Sequence, residues 1–243
     1  MRTFSVLVVS FLLSGCGATS PGTGPGSSKD DVEHAEVDVG GMYVFDPPRL
    51  DPPSAEAAAA TKPRGDAAFV DGDVVYRGAT AGLVIAEIDD DVKLLERAVV
   101  YLPGAGNDVI VHEQVAYVAC GSVGVVAVDV SSISQPKTLT AVDTPGSALR
   151  LALSGELLLV ADGATGVAVL DISEPQRPRP VGFWRSEGYV RHAITIGEIV
   201  YAAEGRSGIS ALRLDKAGTL EHLWRFDTDG QARAVAHQGA RLF

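Results

Sequence analysis

The sequence is short of cysteine, of basic residues and of apolar runs long enough to cross a membrane. Its 243 residues include two cysteines, Cys16 and Cys120, so no disulfide framework can organise the fold. Lys and Arg number 20 against 31 Asp and Glu, and the resulting net charge of −11 argues against a general nucleic-acid binder. The N-terminal apolar stretch, residues 4–13, is too short for a spanning helix, which needs about 20 such residues.

Glycine and proline are abundant by contrast. The 27 glycines and 13 prolines indicate many turns and few long helices. Hydrophobic residues make up 46% of the chain and charged residues 21%, which is typical of a globular protein. The composition therefore favours a β fold with frequent turns.

Residues 1–15 have the layout of a secretory signal peptide, with one charge at Arg2, an apolar stretch and then small residues. The tetrad Leu13-Ser14-Gly15-Cys16 resembles the lipobox of bacterial lipoproteins. That resemblance implies cleavage before Cys16 and a lipid on its sulfur, which would anchor the mature chain to a membrane of the bacterial envelope, outside the cytoplasm. The alternative is an ordinary cleaved signal peptide followed by an incidental cysteine.

Two segments separate this region from the rest of the chain. Residues 16–36 are rich in Gly, Ser and Pro, which predicts a flexible tether. Residues 37–64 predict an irregular segment in which Val37, Val39 and residues 42–45 form one or two short strands. The Asp-Pro-Pro sequences at 46–48 and 51–53 forbid a central strand, and residues 55–60 are compatible with a helical turn.

From residue 65 onward the sequence repeats itself with a fixed period. Two series of glycines share a spacing of 42 without a gap: Gly82, Gly124, Gly166 and Gly208, and Gly104, Gly146, Gly188 and Gly230. A repeat of this length is typical of an array of supersecondary units. We expect units at about 65–104, 105–146, 147–188 and 189–230, with a partial unit at 231–243.

The third unit shows what each repeat contains. Residues 148–153, 157–161 and 167–172 predict three strands, and residues 180–184 a short fourth strand next to prolines. The second and third strands are almost wholly apolar, which indicates burial on both faces of the sheet. A β-propeller buries its four-stranded antiparallel blades in this way. A β-sandwich or a β-solenoid built from the same strands is the alternative.

The residues at 117–131 and 159–173 resemble the LVIVD repeat, whose pattern is roughly Y-V-A-x-G-x-x-G-L-x-V-x-D-V-S-x-P. The resemblance extends over about residues 65–243 and implies an extracytoplasmic or surface-associated protein, with no common reaction attached. Two units depart from the pattern. The first has Arg77-Gly78-Ala79 in place of Ala-x-Gly, and the fourth has Arg213-Leu214-Asp215 in place of Asp-Ile-Ser.

The partial unit at 231–243 stops near the middle of its expected second strand. Four units and a fraction make an awkward ring, because propellers close with about four to eight whole blades. We therefore expect an incomplete propeller. A closed four-bladed ring is the alternative, but it leaves the strand that begins near Ala232 without a partner.

Asp108, Arg150 and His192 stand one period apart on the first strand of successive units, the strand that lines the axis of a propeller. They are predicted to converge there, either to contact an anionic or zwitterionic ligand in a central channel or to satisfy one another. No cofactor or metal site is expected, because the five histidines lack metal-ligand spacing. Residues 89–91 and 227–230 are expected to be solvated turns instead of calcium loops.

These features favour a surface-displayed module that binds or scaffolds a protein or glycan of the envelope and does not catalyse. The alternative is a propeller enzyme, such as a hydrolase or a quinone-dependent dehydrogenase, whose active-site residues lie in further C-terminal blades. An enzyme of that kind needs clustered acids, histidines or metal ligands at one mouth of the channel.

Overall fold

The computed structural model describes residues 35–39, 42–47, 67–239 and 241–243. The predicted signal peptide, Cys16 and most of the predicted tether lie outside these ranges, as does the helical turn expected at 55–60. The described chain is all β, and no helix in it is long and apolar enough to cross a membrane.

Twenty strands make up the described chain, and sixteen of them form four antiparallel four-stranded blades. A hairpin of β1 (Ala35–Val39) and β2 (Met42–Phe45) precedes the blades, and a hairpin of β19 (His237–Gln238) and β20 (Arg241–Leu242) follows them. The blades are blade 1, β3 (Ala68–Asp71), β4 (Val74–Ala79), β5 (Gly82–Ile88) and β6 (Leu94–Tyr101); blade 2, β7 (Asp108–His112), β8 (Val115–Ala119), β9 (Val125–Asp129) and β10 (Lys137–Asp143); blade 3, β11 (Arg150–Ser154), β12 (Leu157–Ala161), β13 (Gly166–Asp171) and β14 (Arg179–Arg185); and blade 4, β15 (His192–Ile196), β16 (Ile199–Ala203), β17 (Ile209–Leu214) and β18 (Leu220–Phe226).

The first strands of the blades, β3, β7, β11 and β15, lie side by side in that order, as the inner strands of a propeller do. Hydrophobic clusters fill the space between blades 1 and 2, between blades 2 and 3, and between blades 3 and 4. In blade 3, Leu158 and Val160 pack toward blade 2, while Leu159 and Val167 pack toward blade 4. Burial on both faces, predicted from the unbroken apolar strands, is confirmed.

Close backbone contacts require glycine at every position of the two series except Gly230. Gly124 has φ +85°, and a Cβ there would collide with the carbonyl oxygen of Val142. A Cβ on Gly146 would likewise collide with the carbonyl oxygen of Asp162, because the linker between blades 2 and 3 lies directly on the β12–β13 hairpin. The shared spacing of the two series therefore reflects two close approaches that recur in successive units, except at Gly230.

The first unit departs from this register at the place where its sequence departs from the pattern. Strand β4 continues to Ala79, which pairs directly with Gly82 across a two-residue turn, whereas Ala119 of blade 2 pairs with Val125. Tyr76 consequently pairs with Ile85, as its counterpart Tyr117 in blade 2 pairs with Ala127. The two tyrosines are separated by one residue less than the full period. A uniform period is therefore wrong for β3 and β4.

The N-terminal hairpin extends blade 2 into a six-stranded sheet, because β2 pairs with the outer strand β10. Met42 is 1% exposed and lies in the cluster between blades 2 and 3, while Phe45 packs on the cluster between blades 1 and 2. Short strands near Val37 and residues 42–45 were predicted, but their place on blade 2 was not. The predicted tether also ends earlier than expected, since β1 begins at Ala35.

Candidate functional site

Asp108, Arg150 and His192 are the first residues of β7, β11 and β15, so the structure places them in equivalent positions on three neighbouring inner strands. Arg150 Nη1 lies 3.8 Å from Asp108 Oδ1. The positive charge of Arg150 also acts electrostatically on His192. The three side chains thus form one row along the inner strands of blades 2 to 4.

Asp108 connects blade 2 to blade 3. Its Oδ2 accepts a hydrogen bond from the backbone amide of Leu151 at 2.8 Å, and its Oδ1 accepts one from Val109 at 3.0 Å. Burial raises the pKa of this carboxyl, and the two amides and Arg150 oppose that rise. The Arg150 side chain stays 31% exposed, and its Nη1 also donates a hydrogen bond to the carbonyl oxygen of Asn107 at 3.5 Å.

His192 repeats the contact of Asp108 two units later. Its Nδ1 accepts a hydrogen bond from the backbone amide of Val235 at 3.2 Å, and Val235 follows His192 at the same separation in sequence as Leu151 follows Asp108. Burial lowers the pKa of the imidazole, and the positive charge of Arg150 lowers it further. His192 is therefore a neutral acceptor that ties blade 4 to the segment after it.

Two buried carboxylates lie near this row, and neither was predicted from the sequence. Asp162 is fully buried after β12 and accepts hydrogen bonds from Thr144 Oγ1 at 2.6 Å, from the amide of Gly146 at 2.7 Å and from Thr165 Oγ1 at 2.7 Å. Burial raises the pKa of Asp162, and these donors counteract part of that rise. The carboxylate locks the linker between blades 2 and 3 onto a hairpin of blade 3.

Glu204 holds the same position in blade 4, one period after Asp162. Its Oε2 accepts a hydrogen bond from Ser186 Oγ and faces Arg225 Nη2 at 3.5 Å, while its buried Oε1 has no hydrogen-bond partner in the described residues. The signal for this pair was present in the sequence, since Thr144 and Ser186 also stand one period apart. Hydroxyl and carboxyl groups recur together at these positions.

In blade 2 the equivalent position is Cys120, which is 2% exposed and packs with Leu102 and Val123. Burial raises the pKa of the Cys120 thiol to about 12, so the thiolate is absent at neutral pH and the side chain is an inert apolar group.

The described residues contain no group of three or more His, Cys, Asp or Glu side chains arranged to hold a metal ion. Asp89 Oδ1 accepts hydrogen bonds from the amides of Asp91 and Lys93, which makes this acidic stretch a self-contained turn. An open cleft of 480 Å³ lies at the other end of the strands, between blades 3 and 4, and includes the acidic side chains of Glu156, Asp171, Glu198 and Asp215.

Comparison with known proteins agrees with the blades seen in the structure. The family model of the LVIVD repeat matches residues 103–144 and 145–183, which are the second and third units. Residues 103–183 of the chain are therefore LVIVD repeats. Curated proteins give no significant match to this LVIVD-repeat chain.

Two solved structures share the fold of the LVIVD-repeat protein. The computationally designed Ika8 protein aligns with a TM-score of 0.57 at 13% identity, over 73% of this chain and 54% of that one. The structure of U3-55K aligns with a TM-score of 0.56 at 13% identity, over 70% of this chain and 57% of that one. The chain thus spans little more than half the length of either structure, and at this identity the likeness concerns the fold alone.

Proposed function

We propose that this LVIVD-repeat protein is an exported lipoprotein of the bacterial envelope that binds or scaffolds an extracytoplasmic partner and performs no catalysis. The repeat scaffold itself is established by the blades and by the family match. The observation that carries the proposal is the structural role of the polar residues on the inner strands of the blades. Asp108 and His192 each accept a backbone hydrogen bond from the following blade segment, so they hold blades together instead of facing a substrate.

The membrane anchor in this proposal is a lipid on Cys16. Support comes from the signal-like residues 1–15 and the lipobox-like tetrad that ends at Cys16. The other cysteine is not a candidate, because Cys120 is buried between blades and its pKa is raised. Each buried lipid methylene contributes about 0.8 kcal/mol, so two or three acyl chains would hold the protein firmly. Residues 17–34 would then connect the anchor to strand β1.

The two cysteines supply a matched test of the anchor. The Cys16→Ser variant is expected to move from the membrane fraction to the soluble fraction of the envelope and to lose incorporation of labelled fatty acid. The Cys120→Ala variant removes the other thiol and is expected to stay in the membrane fraction with its label. Membrane retention of Cys16→Ser at the wild-type level would contradict the anchor.

The binding role has a candidate contact in the exposed part of the inner row. Arg150 keeps about a third of its side chain in solvent and is paired with Asp108 only at 3.8 Å, so an anion could compete for its guanidinium. The exposed Arg150 side chain therefore suits an anionic ligand, or the anionic group of a zwitterionic one, in a central channel.

Inorganic phosphate and glutamate serve as anionic and zwitterionic probes of this contact. Either probe is expected to raise the melting temperature of the wild-type protein, and Arg150→Ala is expected to abolish that rise. Arg179→Ala is the control, because Arg179 lies on the outer strand β14 and pairs with Glu174. If the probes raised the melting temperatures of wild type and Arg150→Ala equally, the row of Asp108, Arg150 and His192 would not be the binding site.

A further inference from the structure

The linkers that enter blades 3 and 4 make the same backbone bridge to the blade before them. Ala148 pairs with Gly121 of blade 2, and Val190 pairs with Gly163 of blade 3. Each linker therefore lies across the hairpin between the second and third strands of the preceding blade. This is the end of the strands at which Arg150 begins β11.

The residues that flank the two bridges differ in kind. Ser147 and Leu149 flank the first bridge, whereas Tyr189 and Arg191, one period later, flank the second. The first junction forms without an aromatic or charged side chain at these positions, so the backbone bridge does not need one. Tyr189 and Arg191 therefore depart from the repeat without serving the packing of the blades, which is typical of functional residues.

Tyr189 and Arg191 act as one unit on the linker. The guanidinium carbon of Arg191 lies 4.8 Å from the centre of the Tyr189 ring, which is a cation–π contact. Tyr189 lies in turn against Gly163, where an added Cβ would come within 3.3 Å of the ring carbon Cζ. Among the described residues, the Arg191 side chain has no hydrogen bond or ion pair. The ring thus orients a guanidinium group whose N–H donors remain available to a ligand.

The exposure of this pair faces solvent at the end of the strands. Val190, between the two residues, is buried in the cluster that joins blades 3 and 4. Tyr189 is 39% exposed, and Arg191 is exposed as well. Since both flanking blades are in place, the exposed side chains do not belong to an interface between blades.

Arg150 supplies a second guanidinium group at the same end of the strands. It is the counterpart in blade 3 of His192, the residue that follows Arg191 in blade 4. The two arginines thus come from successive blades, in a chain whose net charge is −11. The planar fork of a guanidinium group matches a carboxylate or a phosphate. Two such forks on successive blades suit a ligand that repeats its negative charge.

We propose that Arg150, Arg191 and Tyr189 form a binding surface for an acidic glycan whose successive charged sugars contact the two guanidinium groups. The proposal rests on the proposed binding role of Arg150 and deepens it by naming the class of partner. A uronic acid offers a carboxylate beside an apolar ring face, which suits an arginine held next to a partly exposed tyrosine. A glycan also fits the proposed location in the envelope, whereas the net charge argues against a nucleic acid.

Polygalacturonate is the probe, titrated calorimetrically into the full chain carrying Cys16→Ser. It is expected to bind about 100-fold more tightly than monomeric galacturonate, because the second contact is made within one bound ligand. Its affinity is expected to fall as the salt concentration rises, since the contacts are between exposed charges. Neutral dextran is expected not to bind.

Variants of the exposed pair test the contacts without disturbing the buried clusters. Arg191→Gln is expected to weaken polygalacturonate binding about tenfold, which corresponds to the loss of one hydrogen bond between charged groups. Tyr189→Leu is expected to weaken it as well, because the guanidinium loses its support, whereas Tyr189→Phe keeps the ring and is expected to bind as wild type does. Arg177→Gln is the control, because Arg177 is an exposed arginine in the loop between β13 and β14, at the opposite end of the strands.

Three results overturn the acidic glycan as the partner. They are equal affinities of wild type and Arg191→Gln for polygalacturonate, equal affinities of wild type for the polymer and its monomer, and binding of poly-L-glutamate as tight as that of polygalacturonate. The proposed anion contact of Arg150 survives these results if phosphate still raises the melting temperature of wild type but not of Arg150→Ala. If phosphate has no such effect and polygalacturonate does not bind, the proposed binding role fails together with this inference.

Discussion

Blades 2 and 3 make the same backbone contact with side chains of opposite polarity. In both, the linker from the preceding blade lies on the hairpin between the second and third strands. Blade 2 fills that contact with Leu102, Cys120 and Val123. Blade 3 places Thr144, Asp162 and Thr165 in the same three positions and joins them by hydrogen bonds. The comparison teaches that the backbone contact is constant while the polarity of all three side chains changes together.

Cys120→Asp is expected to give the largest effect, because it places a carboxylate among apolar partners that cannot donate hydrogen bonds. A loss of about 4 kcal/mol in the free energy of unfolding is expected at neutral pH, by analogy with unpaired buried charges. Urea titration followed by fluorescence measures it.

The matched control transfers the whole set. Leu102→Thr and Val123→Thr, added to Cys120→Asp, supply the hydroxyl donors found in blade 3 and are expected to recover part of the lost stability. A triple variant no more stable than Cys120→Asp would show that the three positions do not act as a set.

Gly146→Ala is expected to have the next largest effect, since its Cβ would meet the carbonyl oxygen of Asp162 and Thr165 Oγ1. Overpacking of this kind costs about 3 kcal/mol. Gly230→Ala is the control from the same glycine series, because a Cβ at Gly230 meets nothing within 4 Å. Equal melting temperatures for the two variants would show that the linker does not press on the hairpin as described.

The pH dependence of stability provides the smallest expected effect. Burial raises the pKa of Asp162 in the folded protein, so its ionisation disfavours folding. The stability that protonated Asp162 contributes is therefore fully present below the pKa that this carboxyl has in the unfolded chain. It is lost as the pH rises through the raised pKa of the folded protein. Asp162→Asn does not titrate, so stability is expected to fall less from pH 4 to pH 7 in this variant than in wild type. Parallel pH profiles would contradict the raised pKa.

Much of the fold could be predicted from the sequence, because the glycine spacing and the apolar strands are local signals. The strands expected at 157–161 and 167–172 appear as β12 and β13 within one residue of their predicted ends. The row of Asp108, Arg150 and His192 also followed from the period. The hydrogen bonds that these side chains make could not be predicted, because their partners, such as Leu151 and Val235, are set by how neighbouring blades pack.

The sequence by itself determined the repeat, the order of the strands and the residues that share a position in successive units, since these depend on spacing along one chain. Tertiary structure decided the one-residue shift in β3 and β4, the docking of the N-terminal hairpin on blade 2 and the contact of Tyr189 with Gly163. These features depend on what lies opposite each residue, and the opposite surface comes from another strand or another blade.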